Sequence, residues 1–180
     1  MGTPKEPKPA KYFVSLLSGE TELLSAVEQD LCFILGNIDG RSEIFPWTFS
    51  KFYEKEMGGG LLRRFLSFER LMSPEMLADI KLATQKIEQR YRRELSYGGG
   101  RRINLDPGYL EAGKVVLAST KNACQRIFLR GGVFAEATLL YYEGEFHGCM
   151  YTYPDYLWPE TLRFLRLCRR RCLEQLRQID

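Results

Sequence analysis

The sequence predicts an α+β fold. Short apolar runs rich in strand-forming residues recur along the chain. Other segments carry apolar residues three or four positions apart, which is typical of helices that bury one face. Glycine and proline clusters separate the two kinds of segment and place turns between them. We therefore expect residues 1–10, rich in proline and lysine, to form a flexible tail and residues 11–180 to form a single α+β domain.

The first predicted elements are a strand and a helix. Residues 11–17, Lys-Tyr-Phe-Val-Ser-Leu-Leu, predict the strand. The helix follows from apolar residues that recur every four positions: Leu23, Val27 and Leu31. Gly36 suits its end, because glycine readily adopts left-handed backbone. Residues 43–49 read as extended, and Pro46 restricts them to an edge or an irregular strand.

A strand, a helix and a further strand come next. Polar and apolar residues alternate unevenly over 62–71, which predicts a strand partly open to solvent or to a ligand. Ser73, Pro74 and Glu75 suit a helix start as cap, first-turn proline and first-turn acid. The buried face of this helix is predicted by helical spacing: Leu77, Ile80, Thr84, Ile87 and Tyr91. Residues 102–105 predict a short strand, which completes the order of a ferredoxin-like βαββαβ core.

The remaining third of the chain could cover the open face of that core. Residues 109–124 fit either a helix or a strand. Residues 125–129 and 133–142 predict a C-terminal β-hairpin, since Arg130-Gly131-Gly132 separates them. Residues 159–178 predict a closing helix with an inward face of apolar residues and cysteines: Leu162, Leu165, Cys168, Cys172 and Leu176.

Composition restricts the class of protein. The five cysteines are odd in number and form no CxxC motif, and the N-terminal segment lacks the apolar stretch of a secretory signal. We therefore expect reduced thiols and a cytoplasmic location. No apolar stretch is long enough to span a membrane. A net charge of +3 permits an anionic ligand but does not by itself indicate nucleic acid.

Several kinds of chemistry find no support in the sequence. The single histidine, His147, cannot build a histidine-based metal site, and a catalytic triad would have to use it as its only base. We expect an exposed loop histidine, no metal and no cofactor. Cys168 and Cys172 lie one helical turn apart on the apolar face and are expected in the core. Residues 120–123, Thr-Lys-Asn-Ala, faintly resemble a guanine-specificity motif but lack its aspartate, and there is no phosphate loop.

Two glycine-containing segments are candidates for a site. In Gly98-Gly99-Gly100-Arg101-Arg102 the backbone and the guanidinium groups could hold an anion, or the run could be a helix stop with solvated arginines. Residues 104–109, Asn-Leu-Asp-Pro-Gly-Tyr, could be a helix cap or a tight turn. They could equally direct Asn104, Asp106 and Tyr109 into a cleft.

The C-terminal third offers three further features. Glu136 lies among apolar residues of the predicted hairpin and needs a partner, for which Arg126 is the candidate. Residues 151–156 could be a tyrosine-rich rim of a pocket or a lid over the core. The last helix has a basic side that could bind RNA or an acidic partner, or could be solvated: Arg163, Arg166, Arg169, Arg170, Arg171 and Arg177.

Motifs spread over the chain resemble those of a bacterial family defined as a domain of unknown function, whose members have about this length and are in some cases labelled GTP-binding proteins. The matching segments run from Tyr53-Glu54-Lys55 to Thr152-Tyr153-Pro154-Asp155-Tyr156 and include residues 67–71, 104–109, 120–121, 126–127 and 135–139. The resemblance implies no established activity. The family pattern has a histidine before the Arg-Ile pair, where this chain has Gln125.

We expect a pocket for an anionic, phosphorylated small molecule such as a nucleotide, between the sheet and the C-terminal hairpin. The predicted lining comprises Arg64, Glu69, Arg102, Asn104, Asp106, Tyr109, Lys121, Arg126, Glu136, Tyr153 and Asp155. If the protein is an enzyme, Asp106 or Glu136 would be its acid or base. The alternative is a non-catalytic module that binds protein or RNA through the arginine-bearing last helix.

Overall fold

A computed structural model describes residues 2–92 and 100–179. The strands in these residues are β1 (Ala10–Ser18), β2 (Ile38–Arg41), β3 (Phe45–Pro46), β4 (Leu62–Met72), β5 (Ile103–Leu110), β6 (Lys114–Ser119), β7 (Ile127–Arg130), β8 (Val133–Tyr142) and β9 (Glu145–Gly148). The helices are α1 (Thr21–Leu35), α2 (Glu54–Met57), α3 (Leu77–Arg90) and α4 (Pro159–Leu176). Short 3-10 turns precede α3 and α4 at Pro74–Met76 and Pro154–Leu157.

The strands form one antiparallel sheet with the order β2-β4-β1-β5-β6-β8-β7. β3 pairs with β4, and β9 pairs with β8. The prediction of a mixed chain of helices and antiparallel strands is thereby confirmed.

Two apolar clusters cover the two faces of the sheet. On β1, Tyr12, Val14 and Leu16 point to the face covered by α1 and α3, and Phe13 points to the face covered by α4. Because successive side chains of a strand point to opposite faces, a strand buried on both sides reads as a continuous apolar run. The core positions predicted for the last helix are confirmed: Leu165, Cys168 and Cys172 are buried, and Leu162 and Leu176 pack against them.

β5 and β6 are paired over only part of their length. Their register joins Gly108 to Leu117, Tyr109 to Val116 and Leu110 to Val115 and extends no further, whereas β5 continues along β1 to Ile103. Pro107 has no N–H with which to continue the ladder. The sheet therefore opens between the first half of β5 and the last residues of β6.

Gly108 allows the close approach at the last pair of this ladder. A β-carbon built on Gly108 would lie 2.6 Å from the Val116 carbonyl oxygen and 2.7 Å from the Phe13 ring. Real β-carbons do not approach their neighbours this closely, so a side chain at this position would force Phe13 or the β6 backbone to shift.

Several element predictions are confirmed and several need correction. The first strand, the helices α1, α3 and α4, and the hairpin lie where the sequence places them. Ser73 accepts a hydrogen bond from the Glu75 N–H, and Gly36 has φ 89°. Residues 104–109 form neither a helix cap nor a tight turn, because they continue β5 beside β1. Residues 109–124, for which the sequence fitted either a helix or a strand, contain the end of β5 and the strand β6. The 43–49 segment contributes only the two residues of β3.

The strand at 62–71 is more enclosed than predicted. Phe65, Leu66 and Phe68 are fully buried, because β4 lies between β1 and β2 and is covered on both faces. Three elements were not predicted from the sequence, and each is four residues long: α2, β2 and β9. In the part of the chain described by the structure, no helix has the length and apolarity needed to cross a membrane.

Substitution of Gly108 by alanine tests the packing at the last β5–β6 pair. We expect Gly108→Ala to lower the free energy of unfolding by about 1–3 kcal/mol, because the added methyl overpacks the Phe13 and Val116 contacts. Gly113→Ala is the matched control, since a β-carbon there meets nothing within 4 Å. Chemical denaturation measures both variants, and equal stability of the two would contradict this account of the register.

Candidate functional site

A cavity of about 400 Å³ lies at the opening between β5 and β6. Its walls come from segment 47–53, from β4, from α3, from β5, from the end of β6 and from the 153–156 turn. This volume lies in the range of small-molecule pockets. The cavity draws residues from elements on both faces of the sheet because the sheet is open at this point.

Arg63 and Asp155 form a buried ion pair on one side of the cavity. Arg63 Nη2 lies 2.9 Å from Asp155 Oδ2, and the two side chains are 6% and 3% exposed. Asp155 also accepts a hydrogen bond from Trp47 Nε1 at 3.3 Å, and Arg63 donates to the hydroxyl of Ser15. A buried pair of this kind is costly to break, because one partner left alone would be an uncompensated charge. The pair thus fixes the 153–156 turn against β1 and β4.

A second polar group lies along β5. Lys81 Nζ contacts Asp106 Oδ1 at 2.9 Å and the Leu105 carbonyl at 2.9 Å, and Asn104 donates to Asp106 Oδ2 at 2.6 Å. Arg101 donates to Asn104 at 2.8 Å and forms a two-point contact with Glu56. Burial would raise the pKa of Asp106, but Lys81 and the hydrogen bonds hold it below its ordinary value. Asp106 is therefore an ionised acceptor at neutral pH.

The pKa of Glu88 is shifted in the opposite direction to that of Asp106. Burial raises the pKa of Glu88, although the Lys81 charge and the hydrogen bond from the Leu105 N–H act in the opposite direction. The cavity therefore contains two carboxyl groups whose pKa values are shifted in opposite directions. Such separation of pKa values is found where acid and base roles divide.

Arg126 and Glu136 form the ion pair that the sequence predicted. Arg126 Nε lies 3.0 Å from Glu136 Oε2, and the two side chains are 6% and 2% exposed. Arg126 also donates to the hydroxyl of Ser119 at 2.7 Å and to that of Tyr153 at 3.1 Å. Gln125 donates to the same Glu136 oxygen at 3.0 Å. These contacts join β6, β8 and the Tyr153 loop at the cavity rim.

Aromatic rings form the remaining wall and the mouth. Phe49 contacts Tyr153 edge to face, and Phe52 contacts Tyr53 in the same way. Burial raises the pKa of Tyr53 to about 12, so its hydroxyl keeps its proton. Lys121 Nζ lies 4.5 Å above the Phe52 ring. Among the residues that the structure describes, the exposed Lys121 ammonium forms no ion pair, unlike the other cationic groups of the lining.

Two buried polar atoms of the lining lack protein partners. The Tyr156 hydroxyl and Arg63 Nε form no hydrogen bond of acceptable geometry within the described chain. Tyr156 is 3% exposed. A buried donor without a partner costs about 1–3 kcal/mol, so an oxygen acceptor at these atoms would be favourable.

The structure brings most of the predicted site residues together. Seven of the predicted side chains line the cavity: Asn104, Asp106, Lys121, Arg126, Glu136, Tyr153 and Asp155. Residues 151–156 act partly as a pocket rim and partly as a cover over the core. Tyr153 lies at the mouth of the cavity, and Tyr156 packs in the core.

The other four predicted residues lie away from the cavity. Arg64 pairs with Glu28 on α1 at 2.9 Å, and Tyr109 packs in the cluster under α1 and α3. Glu69 is exposed and accepts from Asn37. Arg102 pairs with Glu20. Alternation explains Arg64 and Tyr109, since both lie on the sheet face opposite to Arg63 and Asp106.

The glycine–arginine segment is described only in part. Gly98 and Gly99 lie outside the described residues. Gly100 has φ 110°, and a β-carbon there would lie 2.6 Å from the Glu56 carbonyl oxygen. Arg101 and Arg102 are partly exposed, and neither is free to clamp an anion, because each is held by a carboxylate of this chain.

Sequence reasoning missed part of the lining. Lys81, Gln85 and Glu88 line the cavity from α3, and their spacing of four and three marks one helical stripe beside the apolar one. This polar stripe beside the apolar face of α3 is the sequence pattern from which these three cavity residues could have been predicted. No comparable sequence pattern marks Arg63 or Trp47 as a cavity residue.

The histidine and the two cysteines that the sequence analysis considered for chemistry lie outside the cavity. His147 belongs to β9 rather than to a loop, and its ring stacks on Tyr142 with centroids 3.7 Å apart. Cys168 and Cys172 are core residues as predicted, and burial raises the pKa of Cys168 to about 12. In residues 2–92 and 100–179 no group of three or more metal-binding side chains is arranged around a common point.

Replacement of Glu88 by glutamine tests the buried carboxyl group. Its raised pKa in the folded state means that wild-type stability falls as pH rises from about 4.5 through that raised value. We expect Glu88→Gln to be more stable than the wild type at pH 7.5 and to lose this advantage near pH 4.5. Urea unfolding between these pH values measures it, with the exposed Glu22→Gln as control. A Glu88→Gln variant that is less stable throughout this range would show that Lys81 needs the charge.

Comparisons with known proteins place the chain in a family. No curated protein matches it, and no solved structure matches it. The model of a family described as a domain of unknown function, DUF4416, matches residues 8–172. This match confirms the resemblance to a domain-of-unknown-function family that the motifs indicated. Because it covers most of the chain, the protein belongs to the DUF4416 family.

Proposed function

We propose that the cavity binds a small anionic molecule that carries a flat ring, of which a nucleotide is the clearest example. The observation that supports this most strongly is the convergence in one cavity of aromatic rings, an unpaired lysine and two buried donors without partners. These are the features of a ligand pocket: apolar walls with a few polar groups that fix orientation.

The arrangement of charge suggests the orientation of the ligand. Arg63, Lys81 and Arg126 are neutralised by carboxylates, whereas Lys121 at the mouth is not. An anionic group would therefore lie beside Lys121, and a ring would lie against the aromatic side chains of segment 47–53. The Tyr156 hydroxyl and Arg63 Nε would donate to ligand oxygens in the interior.

The proposal includes no reaction. Asp106 is held by Lys81 and Asn104, and Glu136 by Arg126 and Gln125, so each predicted acid or base is already bound within the protein. Burial raises the pKa of Glu88, whereas Lys81 and hydrogen bonds lower that of Asp106, so Glu88 is the better proton donor of these two.

The alternative use of α4 as a binding surface for protein or RNA has less support. It requires an open and continuous arginine face. Arg169 instead covers the Tyr141 ring and donates to the Ala112 carbonyl, and Arg171 donates to the Asp39 carbonyl. Two of the six arginines are therefore used within the fold.

We also infer the ferredoxin-like connection for residues 10–110. Four consecutive neighbours in the sheet, β2, β4, β1 and β5, are antiparallel, and α1 and α3 pack on one face of them. This order supports the split βαβ pattern. In this view β6 to β9 extend the unit at the β5 edge and create the opening that forms the cavity.

A thermal-shift screen tests the proposed function. Nucleoside mono-, di- and triphosphates are compared with the matching nucleosides and with inorganic phosphate. We expect a nucleotide at about 100 times its dissociation constant to raise Tm by roughly 5–10 °C. Lys121→Gln should weaken this binding about tenfold, and Lys86→Gln, an exposed lysine of α3 outside the cavity, should not. A screen without any stabilising anion would contradict the proposal.

Tyr156→Phe separates binding from stability. Within the described residues the hydroxyl forms no hydrogen bond of acceptable geometry, so its removal should leave stability unchanged or slightly higher. If the hydroxyl donates to a ligand oxygen, the variant should bind the most stabilising nucleotide about fivefold more weakly. Calorimetric titration and urea unfolding measure the two effects. Unchanged affinity would show that the ligand does not reach the Tyr156 hydroxyl.

A further inference from the structure

A second hollow lies on the outer side of α4 and shares no residue with the cavity. It has a volume of about 280 Å³ and lies between Tyr141 of β8 and one side of the helix. The helix lines it with Arg166, Arg169, Arg170, Leu173, Glu174 and Arg177. We propose that this hollow binds a compact polyphosphate, a small ligand recognised through charge alone.

The first support is the excess of cations. Four guanidinium groups and one carboxylate line the hollow. Among the described residues, Arg166, Arg170, Arg177 and Glu174 take part in no ion pair. Their positions recur three, four or seven residues apart, so all of them face the same side of α4.

The contrast with the rest of the chain strengthens this point. Among the described residues, eight arginines outside the hollow are paired with carboxylates: Arg41, Arg63, Arg64, Arg90, Arg101, Arg102, Arg126 and Arg130. Arg70 and Arg163 form no ion pair within this part of the chain. The hollow on α4 gathers like charges without such partners. Like charges on one helix face repel, and a bound anion would remove that repulsion.

The geometry of Arg169 indicates a preformed site. Its guanidinium lies 3.5 Å above the Tyr141 ring, and its Nε donates to the Ala112 carbonyl at 2.8 Å. These two contacts fix the plane of the group and leave its terminal nitrogens available. Planar guanidinium groups bind phosphate oxygens through two parallel hydrogen bonds.

Size and surface select a compact ligand. A water molecule occupies about 30 Å³ in the liquid. A hollow of about 280 Å³ therefore has room for a few oxygen-rich groups. The Tyr141 ring is covered by Arg169 and cannot stack on a base. A free di- or triphosphate therefore fits better than the stacked bases and extended backbone of a single-stranded RNA, which needs open aromatic faces.

Calorimetric titration of the full chain with inorganic tripolyphosphate tests the proposal at fixed ionic strength. We expect Arg170→Gln and Arg166→Gln each to weaken binding roughly tenfold. Arg163→Gln is the matched control: Arg163 is an exposed arginine of the same helix outside the hollow, and its loss should change binding less than twofold. Lys121→Gln should also leave tripolyphosphate binding unchanged, which distinguishes this site from the cavity.

Three results would overturn the proposal. They are no heat of binding with the wild type, an equal loss of affinity in Arg163→Gln and Arg170→Gln, and tighter binding of a single-stranded RNA that is lost in the same variants. The second result would mean a diffuse attraction of anions to the helix, and the third would mean a nucleic-acid surface. Circular dichroism confirms that each variant keeps its helices.

Discussion

Beyond the Gly108–Leu117 pair, β5 and β6 separate, and the polar groups of the molecule are arranged around that gap. β5 stays bound to β1 along its whole length, while β6 turns to β8. Backbone and side-chain polar groups at the gap lose strand partners and must find others. Lys81 serves this purpose for the Leu105 carbonyl, and Glu88 does so for the Leu105 N–H.

Three ion pairs fix the walls of the cavity relative to one another. Arg63 with Asp155, Lys81 with Asp106 and Arg126 with Glu136 each join two different elements. Apolar residues of similar size could pack as well or better, so such pairs are weak devices for stability alone. Their grouping around one cavity agrees with a role in shaping a site. The second hollow on α4 differs, because its arginines form no ion pair among the described residues.

Much of the fold could be predicted because burial leaves a periodic pattern in the long elements. Both faces of β1 are apolar, and α3 shows a clear stripe. The four-residue strands β2 and β9 are too short for such a pattern. Asp106-Pro107-Gly108 has the local composition of a turn, and pairing with β1 overrides it. In the site, Arg126 and Glu136 were predictable because a charge at an apolar strand position needs a partner. The polar stripe of α3 marks Lys81, but its contacts with β5 depend on the separation of β5 from β6, which no local pattern encodes. The pairing of Arg63 with Asp155 joins residues far apart in the chain and likewise has no local pattern.

An NMR titration of the isotope-labelled protein with the most stabilising nucleotide tests the central claim most directly. If the gap between β5 and β6 is the binding site, amide shifts will change together at residues 104–106 of β5 and at 117–121 around the end of β6, with saturation at one common dissociation constant. Shifts confined to α4, or shifts spread evenly over exposed lysines and arginines, would contradict it.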